Sequence, residues 1–275
     1  MKLSVTSWSF PQCSLSEAAG ISRLLNINAI DLGYFYRPAI NKNKILEDPE
    51  GMAEMIRKLD IRVPCLYHLF GNDIKDRNLS LKAVDGKNKA DLQKAALFCR
   101  KAAIETIFIL PGIVNPGQSI KDAIHISAEH LKEMVEICLK EGVSLAIEPH
   151  VHSCIESPEL ALELLDKVQG LKLILDYAHF VCLGFTQGAI DPLIPQAKLV
   201  HLRQAKQGFL QTGLEKGTIN FPVILGKLDE HAFDGYMSIE YVHQDYMNTL
   251  YDDVLSETIK MRDLVEEWKN ARLKR

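Results

Sequence analysis

The chain has 275 residues, which suits one large domain or two small ones. Its charged residues interleave to a net charge of −4, without the basic stripe that is typical of nucleic-acid-binding proteins. The 6 cysteines form no C-x-x-C pair, and no run approaches the roughly 18 uncharged residues of a membrane span. We therefore expect a cytoplasmic protein with reduced thiols that binds neither nucleic acid nor membrane.

The first half of the chain alternates short apolar runs with segments of helical spacing. Strands are predicted at residues 2–8, 29–32, 61–68 and 106–110. Helices are predicted at residues 15–26, 49–59, 88–103 and 120–141. Ser14 and Ser119 are suitable N-caps, and Pro49 stands at a first helical position. Pro64 weakens the beginning of the third strand, because proline lacks the N–H that a sheet requires.

The second half repeats the same order of elements. Strands are predicted at residues 143–148, 171–176, 198–201 and 236–240. Helices are predicted at residues 158–168, 189–195, 221–232 and 248–271. Residues 71–83 and 204–219 form the longest polar connections, which we expect at the border of a binding pocket.

Strict alternation of strands and helices predicts a parallel sheet. Eight such units, with no linker or repeat between them, predict a single (β/α)8 TIM barrel of the α/β class over residues 1–275. The active site of this fold lies at the carboxyl ends of the strands. Residues at these positions are therefore the first candidates for chemistry.

The last four predicted strands each end in a side chain that can bind a metal ion: Glu148, Asp176, His201 and Glu240. Any one of them has an alternative role, because a strand-end carboxylate can also cap a helix or join an ion pair. Together, three carboxylates and one neutral imidazole form a site of charge near −3 that suits Mn²⁺, Mg²⁺, Co²⁺ or Zn²⁺. The set fits structural zinc poorly, because thiolate ligands would be expected there.

Four segments in this order make the chain similar to the xylose-isomerase-like TIM-barrel superfamily of sugar isomerases and epimerases. The segments are Ala-Ile-Glu148-Pro149-His150, Leu-Asp176-Tyr-Ala-His179-Phe180, Val-His201-Leu-Arg203 and Gly235-Tyr-Met-Ser-Ile-Glu240. The resemblance covers essentially the whole chain. The superfamily also contains the endonuclease IV DNA-repair enzymes.

The resemblance to the ketose 3-epimerase branch implies roles for these residues. Glu148 and Glu240 would be metal ligands that also transfer protons, and Asp176 and His201 would complete the metal site. His179 would bind a substrate hydroxyl beside the metal, and Arg203 would bind substrate. Mn²⁺ is the metal that we expect.

Departures from the known branches narrow the choice. His150 replaces the Lys with which xylose isomerase itself polarises a carbonyl, and this disfavours a hydride shift. Cys154 stands where the 3-epimerases carry a second Glu, while Glu156 lies two residues further on. The fourth strand ends without the additional imidazole that endonuclease IV needs, which makes a DNA-repair role a poor fit.

We assign His68 and His150 to the substrate pocket, since four ligands already suffice for the metal. Trp8 is either a core residue or a platform on which a sugar ring stacks.

The sequence thus predicts a divalent-metal-dependent sugar isomerase or epimerase that abstracts a proton next to a carbonyl, through an enediolate. The partner would be a small sugar or polyol, with an unphosphorylated one favoured because no glycine-rich phosphate loop is evident. A homo-oligomer is compatible with the sequence. One alternative is a metal-dependent lyase or dehydratase acting on a keto-sugar, inositol derivative or C-glycoside, and another is a non-catalytic sugar-binding barrel.

Overall fold

The computed structural model describes residues 1–34, 40–243, 245–249 and 253–274. Eight parallel strands form one sheet that curls into a barrel, as predicted. The strands are β1 (Lys2–Thr6), β2 (Ile30–Asp31), β3 (Cys65–Tyr67), β4 (Thr106–Ile109), β5 (Ser144–Ile147), β6 (Lys172–Asp176), β7 (Ala197–Leu202) and β8 (Tyr236–Ile239).

Closure of the barrel depends on the short strands β2 and β3. The sheet order runs β2-β1-β8-β7-β6-β5-β4-β3, so these two strands stand at its two edges. Parallel bridges join Ala29 to Arg62 and Leu32 to Leu66 across the gap. The Tyr67 N–H also donates to the Leu32 carbonyl at 2.7 Å. The edges are therefore paired with each other and the barrel is nearly closed.

Helices surround the sheet on its outer face. They are α1 (Leu15–Leu24), α2 (Lys42–Glu47), α3 (Pro49–Arg57), α4 (Asp85–Ala102), α5 (Ile120–Lys140), α6 (Pro158–Lys167), α7 (Tyr177–Cys182), α8 (Gln187–Ile190), α9 (Phe221–Glu230) and α10 (Val254–Leu273). The predicted caps are confirmed: the Ser14 and Ser119 hydroxyls accept backbone N–H groups, and Pro49 opens α3.

Several predicted boundaries are wrong for identifiable reasons. The first strand ends at Thr6, because Ser7–Ser9 turn into a 3-10 helix in which the Thr6 and Ser9 hydroxyls pair at 2.7 Å. The third strand begins only at Cys65, after Pro64. The helix predicted at residues 189–195 is α8 followed by a 3-10 helix, Asp191–Gln196, that contains Pro195.

The closing helix also begins later than predicted. Its predicted beginning includes residues 250–252, which lie outside the described residues. Met247 and Asn248 have φ angles of 49° and 58°, a left-handed conformation that no α-helix contains. Helix α10 therefore begins at Val254, where the Asp253 carboxylate accepts the Ser256 N–H.

The sequence prediction missed the short helices α2 and α7. All six residues of α7 are buried, so the apolar run that follows Asp176 shows no amphipathic period. Asp176 itself caps this helix, because its Oδ1 accepts the Ala178 N–H at 2.8 Å. The strand-end aspartate thus fixes the direction in which the chain leaves the barrel.

The core has two layers. A large outer cluster of buried side chains lies between the sheet and the helices. A smaller inner cluster fills the barrel: Trp8, Cys65, Tyr67, Phe108, Ala146, Ile174, Leu199 and Val242. The cysteines are free, as predicted. Among the described residues, no helix combines the length and the hydropathy that a membrane crossing requires.

Two buried glutamines hold the long connection between β7 and α9. Gln204 donates to the carbonyls of Leu214 and Ile219 and accepts the Ile219 N–H. Gln211 donates to the Val242 carbonyl at 2.7 Å and accepts the Val242 N–H at 2.8 Å. Gln211 therefore pairs with Val242 as a neighbouring strand would, and joins this connection to the segment after β8.

Replacement of Gln211 by Ala should lower the free energy of unfolding by about 2 kcal/mol, because buried backbone groups of Val242 would lose their partners. Chemical denaturation measures this change. Gln207→Ala is the matched control, since Gln207 is exposed on the same connection and should change stability by less than about 0.5 kcal/mol. Equal stability of the two variants would contradict the role assigned to Gln211.

Candidate metal centre

The alternation of side chains along the strands explains how the predicted ligands meet. Ala146, Ile174 and Leu199 belong to the inner cluster of the barrel. Two residues further along each strand, the side chain again points inward. Those positions hold Glu148, Asp176 and His201, at the end of the barrel where active sites of this fold lie. Strand pairing aligns Asp176 with His201 directly.

The four predicted ligands form one buried cluster. Glu148, Asp176, His201 and Glu240 each offer a ligand atom, and these atoms all lie within 4.8 Å of one another. His201 Nδ1 lies 2.8 Å from Glu148 Oε1 and 3.1 Å from Glu240 Oε2. Each of the four residues is at most 7% exposed. The prediction that these strand ends converge is confirmed.

The hydrogen bonds around the cluster fix its carboxylates and leave lone pairs directed inward. The Trp8 indole N–H donates to Glu240 Oε1 at 2.8 Å. Glu240 Oε2 is buried and has no hydrogen-bond partner among the described residues. Trp8 is therefore more than a core residue, because its hydrogen bond to Oε1 orients the Glu240 carboxylate so that Oε2 faces the cluster.

Arg203 lies closer to the cluster than the sequence predicted. Its guanidinium donates to Asp176 Oδ2 through Nε at 2.9 Å and through Nη2 at 2.6 Å. Nη2 also lies 3.5 Å from Glu240 Oε2. With His201 in the neutral form that binds a cation, the four predicted ligands keep a charge near −3, and the neighbouring guanidinium brings the local charge to near −2. A single divalent cation would balance this charge.

The two glutamates have opposite pKa shifts. Burial raises the pKa of Glu148, and the hydrogen bond and charge of His201 offset only part of that effect. Burial also opposes ionisation of Glu240, but the charges of Arg203 and His201 together lower its pKa. Glu148 is therefore the carboxylate that takes up a proton more readily, while Glu240 stays ionised.

The donor set fits a divalent ion. Carboxylate oxygens with one imidazole nitrogen are ligands for Mn²⁺, Mg²⁺, Co²⁺ and Zn²⁺, and no cysteine belongs to either metal-binding group that the described residues form. Three carboxylates buried together are costly unless cations compensate them. Arg203 supplies one positive charge, and His201 Nδ1 lies between Glu148 Oε1 and Glu240 Oε2, where a cation could replace its proton.

A second group, made of Glu148, His150 and His179, also has ligand geometry. Its hydrogen bonds argue against a second ion. The Val151 N–H donates to His179 Nδ1 at 3.2 Å, which occupies the lone pair of that nitrogen. His179 Nε2 and Arg203 Nη2 lie 2.9 Å apart beside Asp176 Oδ2. Because the guanidinium can only donate, both ring nitrogens of His179 face N–H donors, and neither offers a free lone pair to a second ion.

A cavity of about 170 Å³ opens above the cluster. Its lining includes five residues that the sequence assigned to the site: Trp8, Glu148, His150, Arg203 and Glu240. The sequence prediction missed the rest of the lining: Tyr67, Ile74, Leu210, Val242 and Tyr246. Ile74 and Leu210 come from the two long connections predicted to border the pocket. Tyr67 follows the strand-end pattern, whereas no sequence signal marked Tyr246.

Other predicted residues lie elsewhere. His68 is buried between the rings of Tyr34 and Phe70 and borders a separate small cavity, so it does not line the main pocket. Glu156 accepts the His152 N–H at 2.5 Å and is also absent from the lining. Cys154 is buried, with its thiol 3.3 Å from the Pro111 carbonyl. Both residues therefore lie outside the lining of the main pocket.

The family model for the xylose isomerase-like TIM barrel matches residues 22–263. The chain belongs to this family. The match includes all four members of the cluster, and the barrel with its strand-end ligands agrees with it.

Individual relatives within this family are distant. A human protein named putative hydroxypyruvate isomerase is 24% identical over 258 residues, which cover 86% of this chain and 87% of that protein. A solved L-ribulose 3-epimerase has a TM-score of 0.76 at 17% identity, with 100% of this chain and 97% of the other covered. The probable 3-DHS dehydratase AsbF of Bacillus anthracis has a TM-score of 0.72 at 16% identity, with 95% and 98% covered.

The structure of the IOLI protein, which is described with a binding zinc atom, has a TM-score of 0.71 at 18% identity and covers 98% of this chain and 99% of that one. At identities this low, the structural similarity establishes a shared fold and no more. The reactions of these relatives differ, so the fold alone does not select one.

The affinity of the protein for Mn²⁺ should fall as the pH is lowered from about 8 to about 5, because protons compete with the cation. Burial raises the pKa of Glu148, so this ligand is protonated earlier in the titration than an ordinary glutamate. We expect the affinity for Mn²⁺ to fall about tenfold per pH unit for each proton that the cation displaces. Isothermal titration calorimetry at several pH values measures the slope.

Glu148→Gln should give a shallower slope, since this variant has lost one of the groups that exchange a proton for the cation. An affinity that is independent of pH in the wild-type protein would contradict the assignment of Glu148 as a ligand.

Proposed function

We propose that the protein is a divalent-metal-dependent isomerase or epimerase of a small, unphosphorylated sugar. The observation that carries the proposal is the buried cluster of Glu148, Asp176, His201 and Glu240 beneath a pocket that both glutamates line. Four such ligands leave coordination positions for substrate oxygens. A bound divalent ion would supply positive charge that stabilises negative charge developing on those oxygens.

Glu148 and Glu240 are the groups that we propose to move the proton next to the substrate carbonyl. They come from β5 and β8, which two other strands separate, so they can reach a bound substrate from different directions. The raised pKa of Glu148 suits a group that takes up and returns a proton near neutral pH. Proton removal gives an enediolate, and the carbon to which the proton returns decides between isomerisation and epimerisation.

The remaining polar groups would hold the substrate. His150 Nδ1 lies 2.6 Å from the Val151 carbonyl and donates to it, which leaves His150 Nε2 as an acceptor. The Tyr246 hydroxyl lines the pocket and has no hydrogen-bond partner among the described residues. Arg203 and His179 lie in contact beside Asp176. A polyhydroxylated substrate supplies partners for each of these groups.

The size of the pocket limits the substrate. A cavity of about 170 Å³ lies well below the range of about 300–1,000 Å³ that is usual for drug-sized ligands. Tyr67, Ile74, Leu210 and Val242 contribute apolar surface to its walls. This combination favours a single free sugar or a compound of similar size over a phosphorylated or oligomeric substrate.

Mn²⁺ is the ion that we propose, since oxygen-rich sites with one imidazole accept it readily. Zn²⁺ is the principal competitor, and the zinc described for the structurally similar IOLI protein supports its inclusion in any test. Metal analysis of the freshly purified protein decides between them.

Replacement of Glu148 or Glu240 by Gln should abolish deuterium exchange at the substrate carbon in D₂O. The amide keeps the shape of the side chain but cannot accept the proton. Exchange is measured by NMR on a panel of free ketoses and keto-sugars, at saturating Mn²⁺ with occupancy determined in parallel. Equal metal occupancy in the variants separates proton transfer from metal binding.

Glu156→Gln is the matched control, because Glu156 carries the same functional group outside the pocket lining and should leave exchange unchanged. Wild-type exchange rates in a fully metal-loaded Glu148→Gln or Glu240→Gln protein would overturn the two-glutamate mechanism. A wild-type protein that binds Mn²⁺ and sugars but exchanges no deuterium would instead be a sugar-binding barrel.

A lyase or dehydratase is the second candidate. The probable dehydratase AsbF shares the fold, and the pocket offers the Tyr246 hydroxyl as a group that could protonate a leaving oxygen. Such a reaction begins with the same proton abstraction but then expels a substituent next to the enediolate.

Mass spectrometry of the products separates the two reactions, because an epimerase conserves substrate mass whereas a dehydratase removes one water. With Tyr246→Phe, a lyase that uses this hydroxyl should lose more than about tenfold in kcat. An isomerase should keep kcat and show a higher KM. A product of lower mass from a keto-sugar or inositol derivative would replace the isomerase proposal with the lyase.

A further inference from the structure

Behind His201, on the side away from the pocket, lie three buried polar atoms that have no hydrogen-bond partner among the described residues. They are His201 Nε2, the Ser238 hydroxyl and Asp31 Oδ1. Their side chains are at most 2% exposed. Buried polar groups are rarely left unpaired in folded proteins, so three of them in one part of a barrel require an explanation.

Strand pairing brings these residues together. His201 on β7 is aligned with Ser238 on β8, and Ser238 is aligned with Ser4 on β1. Side chains at paired positions of neighbouring parallel strands project from the same face of the sheet, about 5 Å apart. The Ser4 hydroxyl in turn donates to Asp31 Oδ2 at 3.5 Å. The four residues thus form a continuous polar row across β7, β8, β1 and β2.

The donors and acceptors in this row complement each other. If His201 binds a cation through Nδ1, the neutral imidazole carries its proton on Nε2 and needs an acceptor there. The Ser238 hydroxyl can accept a hydrogen bond from His201 Nε2–H and donate its own hydrogen to a carboxylate. Asp31 Oδ1 is the carboxylate oxygen that lacks a partner.

We propose that Asp31 is a positioning residue for the metal centre, acting on His201 through Ser238. Asp31 accepts from Ser238, and Ser238 accepts from His201 Nε2–H, either directly or through one bound water. This inference rests on the metal centre of the proposed function and adds to it the residues that orient its only imidazole ligand.

The row would act on metal binding in two ways. It fixes the tautomer of His201, so that the Nδ1 lone pair faces Glu148 and Glu240. It also makes the imidazole a better donor to a cation, as carboxylates hydrogen-bonded to metal-binding histidines do in other proteins. The rings of Phe108 and Trp8, whose centroids lie 5.7 Å and 6.2 Å from that of His201, offer its Nε2 no hydrogen-bond acceptor of the strength of a carboxylate.

The electrostatics of Asp31 agree with this arrangement. Burial raises the pKa of Asp31 to about 7, while Ser238 and the charge of His201 act to lower it. No lysine or arginine forms an ion pair with Asp31 among the described residues. A carboxyl group at the centre of a barrel without a cationic partner is costly, which is the expected sign of a functional position.

The test measures Mn²⁺ affinity by isothermal titration calorimetry for the wild-type protein, Asp31→Asn and Ser238→Ala. We expect dissociation constants about 10- to 100-fold higher in both variants. The double variant should be little weaker than either single one, because both substitutions interrupt the same row. Asp191→Asn is the matched control, since Asp191 is a largely buried carboxylate bonded to Tyr177 outside the barrel interior.

A second readout follows His201 directly. NMR of ¹⁵N-histidine-labelled, Zn²⁺-loaded protein should show a protected Nε2–H on His201 in the wild type and lose it in Ser238→Ala. Thermal unfolding of the metal-free variants distinguishes a positioning role from a purely structural one. A purely structural role would lower the melting temperature without changing the dissociation constant for Mn²⁺.

The proposal is overturned if Asp31→Asn and Ser238→Ala both bind Mn²⁺ with wild-type affinity. It is also overturned if they lose no more affinity than Asp191→Asn does. If the wild-type protein binds Mn²⁺ but catalyses no exchange, the proposed function fails while the row is still tested by affinity. If the wild-type protein binds no divalent ion, both the metal centre and the role of Asp31 are refuted.

Discussion

The structure of the site depends on the charge balance of three buried carboxylates. Glu148, Asp176 and Glu240 occupy one small volume, and Arg203 is the cation that the chain itself supplies to them. The arginine holds Asp176 through two hydrogen bonds and lowers the pKa of Glu240, but it leaves a net charge near −2. A divalent cation would therefore complete a partly neutralised site, and the separate environments of the two glutamates shift their pKa values in opposite directions.

The barrel provides the precision that this balance needs. Because side chains alternate along each strand, a ligand two residues beyond an inward-facing core residue must also point inward. Inner-layer residues such as Ala146 and Ile174 thus determine the direction of Glu148 and Asp176. The same alternation explains why the polar row of Ser4, Asp31 and Ser238 lies beneath the ligands, where it faces His201 rather than the surrounding helices.

The fold and the convergence of the four candidate ligands were predictable because they depend on local patterns. Strand-end carboxylates can be recognised in a sequence once the number of alternating units is known, and Glu148, Asp176, His201 and Glu240 required nothing more. Contacts that depend on packing were not predictable. The Trp8 hydrogen bond to Glu240 joins residues 232 positions apart, and the short span from His201 to Arg203 gave no indication that the guanidinium would lie against Asp176. The pocket position of Tyr246 likewise depends on how the segment after β8 folds back.

The most direct test of the account is a crystal structure of the Mn²⁺-loaded protein with anomalous diffraction recorded near the manganese edge. We predict one anomalous peak, coordinated by oxygens of Glu148, Asp176 and Glu240 at about 2.0–2.3 Å and by His201 Nδ1 at about 2.1 Å. Asp176 should keep its hydrogen bonds to Arg203. An absent peak, or a peak held by Glu148, His150 and His179 instead, would contradict the central claim.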